Sequence, residues 1–264
     1  MMSRHYAALF AALLTALLTL PAVAQTSGAI KTFDDARLAY SKKDYATALR
    51  LYRRLALRGN ARAQDALAGM YERGEAVPQD KVEALRWFQL AADGRKALLA
   101  YSRGEYATAL GIYRPLADHG QALAEYILGL MYANGQGVPK DYAEALKWHL
   151  KAAEQGEAKA QFSVGLMYFK GLGTEKNLAE AFKWYARAAN QGDPIAQYNL
   201  AAMYAQGEAV KRDPVNALMF YTLAAVHAVK SAGLAKVRLE KSMSAAQIAE
   251  ANKRVYAWEA KSEP

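Results

Sequence analysis

The chain contains no cysteine. That excludes disulfides, thiol catalysis and Cys-ligated metal. It also excludes a lipoprotein anchor, which needs a cysteine at the leader cleavage site. Proline is scarce, with 7 in 264 residues, and β-branched residues are few, while Ala, Leu, Lys, Glu and Tyr dominate. This balance favours helix. Beyond the first 24 residues the only histidines are His119, His149 and His227, and no pair has metal-ligand spacing. There is no Gly-x-Ser-x-Gly, no phosphate loop and no Ser-x-x-Lys. Asn134-Gly135-Gln136-Gly137 has no strand before it, so it reads as a helix–helix loop rather than a nucleotide site. No catalytic, cofactor or metal site is expected, and the chain is not expected to be an enzyme.

The net charge is +9, or +8 once Arg4 is removed with the leader. The densest basic cluster is Arg50, Arg53, Arg54 and Arg58. A sequence pI near 9.5 permits weak association with anionic surfaces. No nucleic-acid fold signature accompanies it, so no nucleic-acid partner is expected. Arg4 and His5 precede an apolar run from Tyr6 to Leu20, and Pro21-Ala22-Val23-Ala24 supplies a small-x-small site. This pattern predicts a signal peptide over residues 1–24, cleaved before Gln25. The run is shorter than the ~20 apolar residues of a membrane-spanning helix, and no second run of that length follows. The expected address is the periplasm of a bacterial envelope, or secretion, without a transmembrane segment.

The rest of the chain repeats itself. Met-Tyr pairs at 131–132, 167–168 and 203–204 set a period of 36 residues. A period in this range signals stacked helix pairs. After a polar lead-in over 25–32 comes a short unit, 33–60, with a short first helix near Asp34–Ser41, an N-cap at Asp44 and a helix-ending Gly59. A full repeat follows at 61–95, another short unit at 96–121, and full repeats at 122–157, 158–193 and 194–230. Leu38–Gly94 aligns without a gap on Leu99–Gln155 at a constant offset of 61, so a short-plus-long pair has been duplicated. No Ser/Gly/Pro-rich linker separates the units, which predicts one continuous stack. The tail, 231–264, leaves the period. Ser244 and Gln247 open its last helix with a capping box, and its charged residues supply a polar end.

Each full repeat carries the same physical pattern. Leu67, Leu128, Val164 and Leu200, each followed four residues later by Tyr, lie on one apolar face of the first helix. Ala68, Gly129, Gly165 and Ala201 are small and let a helix approach closely. Asp80, Asp141, Asn177 and Asp213 cap the second helix. Glu83, Glu144 and Glu180 stand three residues after the first three caps, as in a capping box. Trp87, Trp148, Trp184 and Phe220 are the large anchors, and Ala-Ala pairs at 91–92, 152–153, 188–189 and 224–225 receive the neighbouring repeat. Gly173-Thr174-Glu175, where other repeats have Val-Pro or Val-Lys, is expected to alter one loop.

These residues resemble the Sel-1-like repeat family, relatives of the tetratricopeptide repeat. The likeness is carried by Ala124-Glu125-Tyr126, Leu128-Gly129, Met131-Tyr132, Gly135-Gln136-Gly137-Val138, Asp141, Ala145, Trp148 and Ala152-Ala153-Glu154-Gln155-Gly156. It is specific over 61–95 and 122–230, while the short units look tetratricopeptide-like. The resemblance implies an all-α fold, an α-α superhelix built as a right-handed solenoid of antiparallel helix pairs, with first helices lining the concave side. It implies binding of a protein or peptide there.

The first-helix positions turned away from the Leu/Tyr face are Tyr126, Leu130, Phe162, Leu166, Phe169 and Tyr198, and these are the candidate partner-binding residues. An open apolar stripe would suit a helix or peptide. The competing reading is that the aromatics at 126, 162 and 198 pack against the neighbouring repeat, as helical apolar stripes usually do. The first repeat has Asp65, Gly69 and Glu72 at these places, so any groove fades toward the N-terminus. An envelope glycan or peptidoglycan is the alternative ligand, on the basic charge and the Tyr and Trp content.

Overall fold

The computed structural model describes residues 27–262, with side chains from 33 to 259. The expected leader and its cleavage site lie outside the described residues. Among those described there are helices and no strands. In chain order they are α1 (Ser27–Ser41), α2 (Tyr45–Leu57), α3 (Ala61–Arg73), α4 (Lys81–Ser102), α5 (Tyr106–Asp118), α6 (Ala122–Asn134), α7 (Tyr142–Glu154), α8 (Ala158–Lys170), α9 (Leu178–Asn190), α10 (Pro194–Gln206), α11 (Pro214–Val226), α12 (Lys230–Glu240) and α13 (Ala245–Ser262). None of these is long and apolar enough to cross a membrane. The fold is all-α, built from antiparallel helix pairs. The chain divides into two compact units, one ending at Ile112 and one beginning at Tyr113, with the boundary inside α5. In the first, α2 packs on α1 and α4 on α3; in the second, α6–α7, α8–α9 and α10–α11 are the pairs, and α12 and α13 pack on α11.

Helix ends follow from single residues. α3, α6, α8 and α10 each stop at a left-handed glycine, at positions 74, 135, 171 and 207, with φ from 69° to 76°. Glycine adopts this conformation without the Cβ clash of other residues. The caps Asp80, Asp141, Asn177 and Asp213 all accept from backbone N–H groups of the next helix. The expected capping boxes there do not close. The backbone N–H of each cap is already donated to the carbonyl of Tyr71, Tyr132, Tyr168 or Tyr204, at 2.9–3.0 Å. Glu83, Glu144 and Glu180 instead pair with Arg86, Lys147 and Lys183. At Ser244 the box does form: its N–H donates to Gln247 Oε1 at 2.9 Å and its hydroxyl accepts from Gln247 N–H at 3.2 Å. The loop at Gly173-Thr174-Glu175 is not altered as expected, since Asn177 N–H reaches Tyr168 O at 2.9 Å as its counterparts do.

The small residues of the first helices form beds for rings. A Cβ on Gly129 would lie 2.6 Å from His149 Nδ1, and one on Gly165 would lie 2.7 Å from the Tyr185 ring. His149 is buried, and burial holds its pKa at about 3. It is therefore an uncharged core residue, standing where the next two repeats have Tyr185 and Tyr221.

Two helices are longer than the pattern predicts. α1 starts at Ser27 and takes in most of the expected polar lead-in. α4 runs for 22 residues, where the repeat pattern predicts a break near residue 95. The cause is local. Successive helix pairs are separated by left-handed glycines at 59, 120, 156 and 192, with φ from 78° to 88°. At the offset of 61, Gly156 falls on Arg95 and the N-cap Glu157 falls on Lys96. Arginine resists the positive φ that the glycine supplies, so the helix continues. Arg95 is further tied by a 2.6 Å ion pair to Asp65.

Three measurements test this account. Gly129→Ala should cost about 1–3 kcal/mol in urea unfolding, because a ring must move. Gly233→Ala, with nothing within 4 Å of the added Cβ, should instead stabilise by roughly 0.5–1 kcal/mol. A histidine with a depressed folded-state pKa contributes stability that is complete above pH 6.5 and is lost as pH falls toward 3. His149→Tyr should therefore flatten the fall of Tm across that window. Arg95→Gly with Lys96→Asp should restore the missing turn, read as amide exchange at residues 94–98 at least roughly tenfold faster with the rest unchanged.

Candidate functional site

The six candidate residues all lie in the second unit, on α6, α8 and α10. Tyr126 and Phe162 are buried. Tyr126 has its ring centroid 5.5 Å from that of His149, and Phe162 stacks on Tyr185 at 5.8 Å. Tyr198 makes the equivalent contact with Tyr221 at 5.7 Å but keeps part of its surface in water. Each first-helix aromatic thus packs on the second helix of its own repeat, and two of the three leave no ring for a partner to touch. Leu130, Leu166 and Phe169 are half-buried. Leu166, Phe169 and Tyr198 rest against the core of the unit, and Lys176 Nζ stands 5.6 Å from the Phe169 ring centre.

A different apolar stripe is open to solvent. On α4, Leu85 is 68% exposed and Phe88 is 37% exposed. Ala92 and Leu99 are also exposed. At 100° per residue these four fall within one narrow face of the helix, spanning about 21 Å. The register positions of Leu85, Phe88 and Ala92 are buried or half-buried in the second unit. Leu146 and Leu218 match Leu85 and are 8% and 0% exposed. His149, Tyr185 and Tyr221 match Phe88 and are all buried, as are Ala153 and Ala189, which match Ala92. The cover over α7 is α8, the first helix of the next repeat, and over α9 it is α10. On α4 the missing turn at Arg95 removes the route by which a next first helix would fold back.

This stripe was readable in principle. The offset-61 alignment already places Arg95 on Gly156, and a turn without its glycine is a turn in doubt. Periodicity hid it, because the apolar residues of α4 keep the helical spacing of a core face.

The first unit also holds a shallow cavity of about 200 Å³ lined by Tyr40, Tyr52, Ala66 and Arg73. Its polar groups satisfy one another. Tyr40 O–H donates to Glu75 at 2.9 Å, and Arg73 donates to Tyr40 at 2.9 Å and pairs with Glu75 at 3.0 Å. The hydrogen bond from Arg73 lowers the Glu75 pKa. No general base emerges from this triad, since its carboxylate is held in the charged form and its guanidinium is committed. Among the described residues no group of three or more His, Asp or Glu could hold a metal ion.

A comparison with curated proteins found no match. Among solved structures, the chain resembles c5321, a protective antigen of uropathogenic Escherichia coli displaying an SLR fold, at 28% identity over 89% of this chain and 53% of that one, with a TM-score of 0.55. It thus spans about half the length of that protein. A Sel1 repeat protein from Oxalobacter formigenes is 31% identical over 77% of this chain and 74% of that one, with a TM-score of 0.44. The Sel1 repeat family model matches residues 37–60, 61–95, 122–157, 158–193 and 194–225. The first short unit therefore falls within the Sel1 pattern, while 96–121, which holds the end of the fused helix, is outside the match. Proteins of this kind generally mediate protein–protein interaction and are typically non-catalytic. With most of its length covered by five copies of the repeat, the chain belongs to the Sel1 repeat family.

Proposed function

We propose that this protein is an interaction module that takes a helical segment of a protein partner on the open face of α4. The observation that carries the reading is the exposure of Leu85, Phe88 and Ala92 at positions whose counterparts in the second unit are buried or half-buried, with the exposed Leu99 lengthening the same stripe. The face therefore matches the next-repeat helix in spacing and chemistry, and an amphipathic helix with small and apolar residues at i, i+3 and i+7 fits it. The half-buried Leu130, Leu166, Phe169 and Tyr198, with Tyr126 and Phe162 behind them, offer a second, shallower contact surface on the first helices, which the family resemblance assigns to a concave side. We place the protein in a bacterial envelope, on the strength of Arg4, the apolar run to Leu20 and the Ala22-Val23-Ala24 site.

Crosslinking in living cells from a photoreactive residue at position 88 tests the first part. The expected result is crosslinks that map to one helical segment of one partner, lost in Leu85→Glu with helicity unchanged. Crosslinks scattered over unrelated proteins would overturn it. Loss of the captured partner in Leu166→Glu or Tyr198→Glu, but not in Leu85→Glu, would move the site to the second unit. For the address, the mature N-terminus should read from Gln25 by N-terminal sequencing, and an intact Met1 on the exported protein would refute it.

A further inference from the structure

One position in the first helix of every full repeat carries a buried polar side chain, and its register fixes what it does. Gln64, Gln161 and Gln197 each donate through Nε2 to a carbonyl of the preceding helix: Ala56 at 3.0 Å, Ala153 at 3.1 Å and Ala189 at 3.2 Å. Those carbonyls also accept from the left-handed glycine of the turn, Gly59, Gly156 or Gly192, at 2.9–3.0 Å. The bond from the glutamine thus uses the second lone pair and ties each first helix to the helix before it. In the remaining copy, 122–157, the residue is Glu125. It is 3% exposed, and the carbonyl in register is that of Ala117, which accepts from Gly120 N–H at 2.9 Å like its counterparts. The other half of the site is preserved as well: Gln155 donates to Glu125 Oε2 at 2.7 Å, as Gln191 donates to Gln161 Oε1 at 2.7 Å. A carboxylate can accept from Gln155 but cannot donate to Ala117; a carboxylic acid can do both.

We propose that Glu125 is a proton-operated latch between the end of α5 and α6, open when ionised and closed by a hydrogen bond to the Ala117 carbonyl when protonated. The charged groups around it leave the choice to burial. On α7, Lys151 favours the carboxylate and Glu154 opposes it, while His149 is uncharged above about pH 3. On α5, Asp118 is 3.7 Å from Arg114, and just beyond its end His119 Nδ1 is 2.7 Å from Pro115 O. α6 has no other ionisable side chain except the Tyr hydroxyls. Burial is the largest influence on Glu125 and raises its pKa above the ordinary 4.5. A carboxyl with a raised folded-state pKa makes the native state bind protons more tightly than the unfolded chain. The latch therefore adds stability as pH falls from neutral through that raised value, in full below 4.5, and loses it as pH rises.

Glu125→Gln installs the donor that the three sister repeats use. In the full-length protein its Tm should exceed that of the wild type at pH 8, and the gap should narrow steadily as pH is lowered to 4.5. Taking the difference between the two proteins cancels the opposing titration of His149. A gap that is the same at every pH, or that is absent or reversed at pH 8, would overturn the latch. A second reading uses the wild type alone, so it does not depend on how the variant folds: carbon NMR of the Glu125 carboxyl should titrate with a midpoint above 4.5, and a midpoint at or below 4.5 refutes the proposal.

Discussion

The architecture depends on one conformational demand, a residue with positive φ between each helix pair and the next. Glycine meets it at 59, 120, 156 and 192, and each time its N–H caps an alanine carbonyl at the end of the preceding helix. Where the demand is met, the chain reverses and a fresh first helix lies over the second helix of the repeat before. Where it fails, at Arg95, the helix runs on and its outer face stays in water. At the last turn of this type Ala228 holds φ of 61°, so a Cβ is tolerated when the surrounding structure fixes the turn. At Arg95 the side chain is instead tied to Asp65 by a 2.6 Å ion pair, and the helix runs on.

Much of the fold was legible because every copy repeats the same physical choices. The caps at 80, 141, 177 and 213, the glycines that end the first helices, and the Trp/Phe anchors could be placed from spacing alone. The capping boxes were misread because sequence does not show that a Tyr carbonyl has already taken the N–H the glutamate would accept. The loop at Gly173 was misread in the opposite sense. Its Val-Pro counterpart is not what closes the loop; the left-handed position and the cap are, and both are kept.

The surface was less legible. An aromatic on a helix face looks the same in sequence whether it meets water or another ring. At Tyr126 and Phe162 the deciding fact is a partner 23 residues later, His149 and Tyr185, each seated over a glycine. The apolar face of α4 is the opposite case: it has the pattern of a covered face, and the turn that would deliver a covering helix is absent. Reading exposure from such a chain means asking which helix would have covered each residue, and then whether the turn that delivers that helix is present.

The ring-on-glycine contacts have a kinetic consequence. Gly129 and His149, like Gly165 and Tyr185, are 20 residues apart, so the central contact of each repeat closes a short loop. Loop-closure entropy grows only with the logarithm of length, and contacts local in sequence are formed early and fast. Each helix pair can therefore assemble before its neighbour exists, and a ribosome releasing the chain from its N-terminus delivers repeats in the order in which they can be stacked.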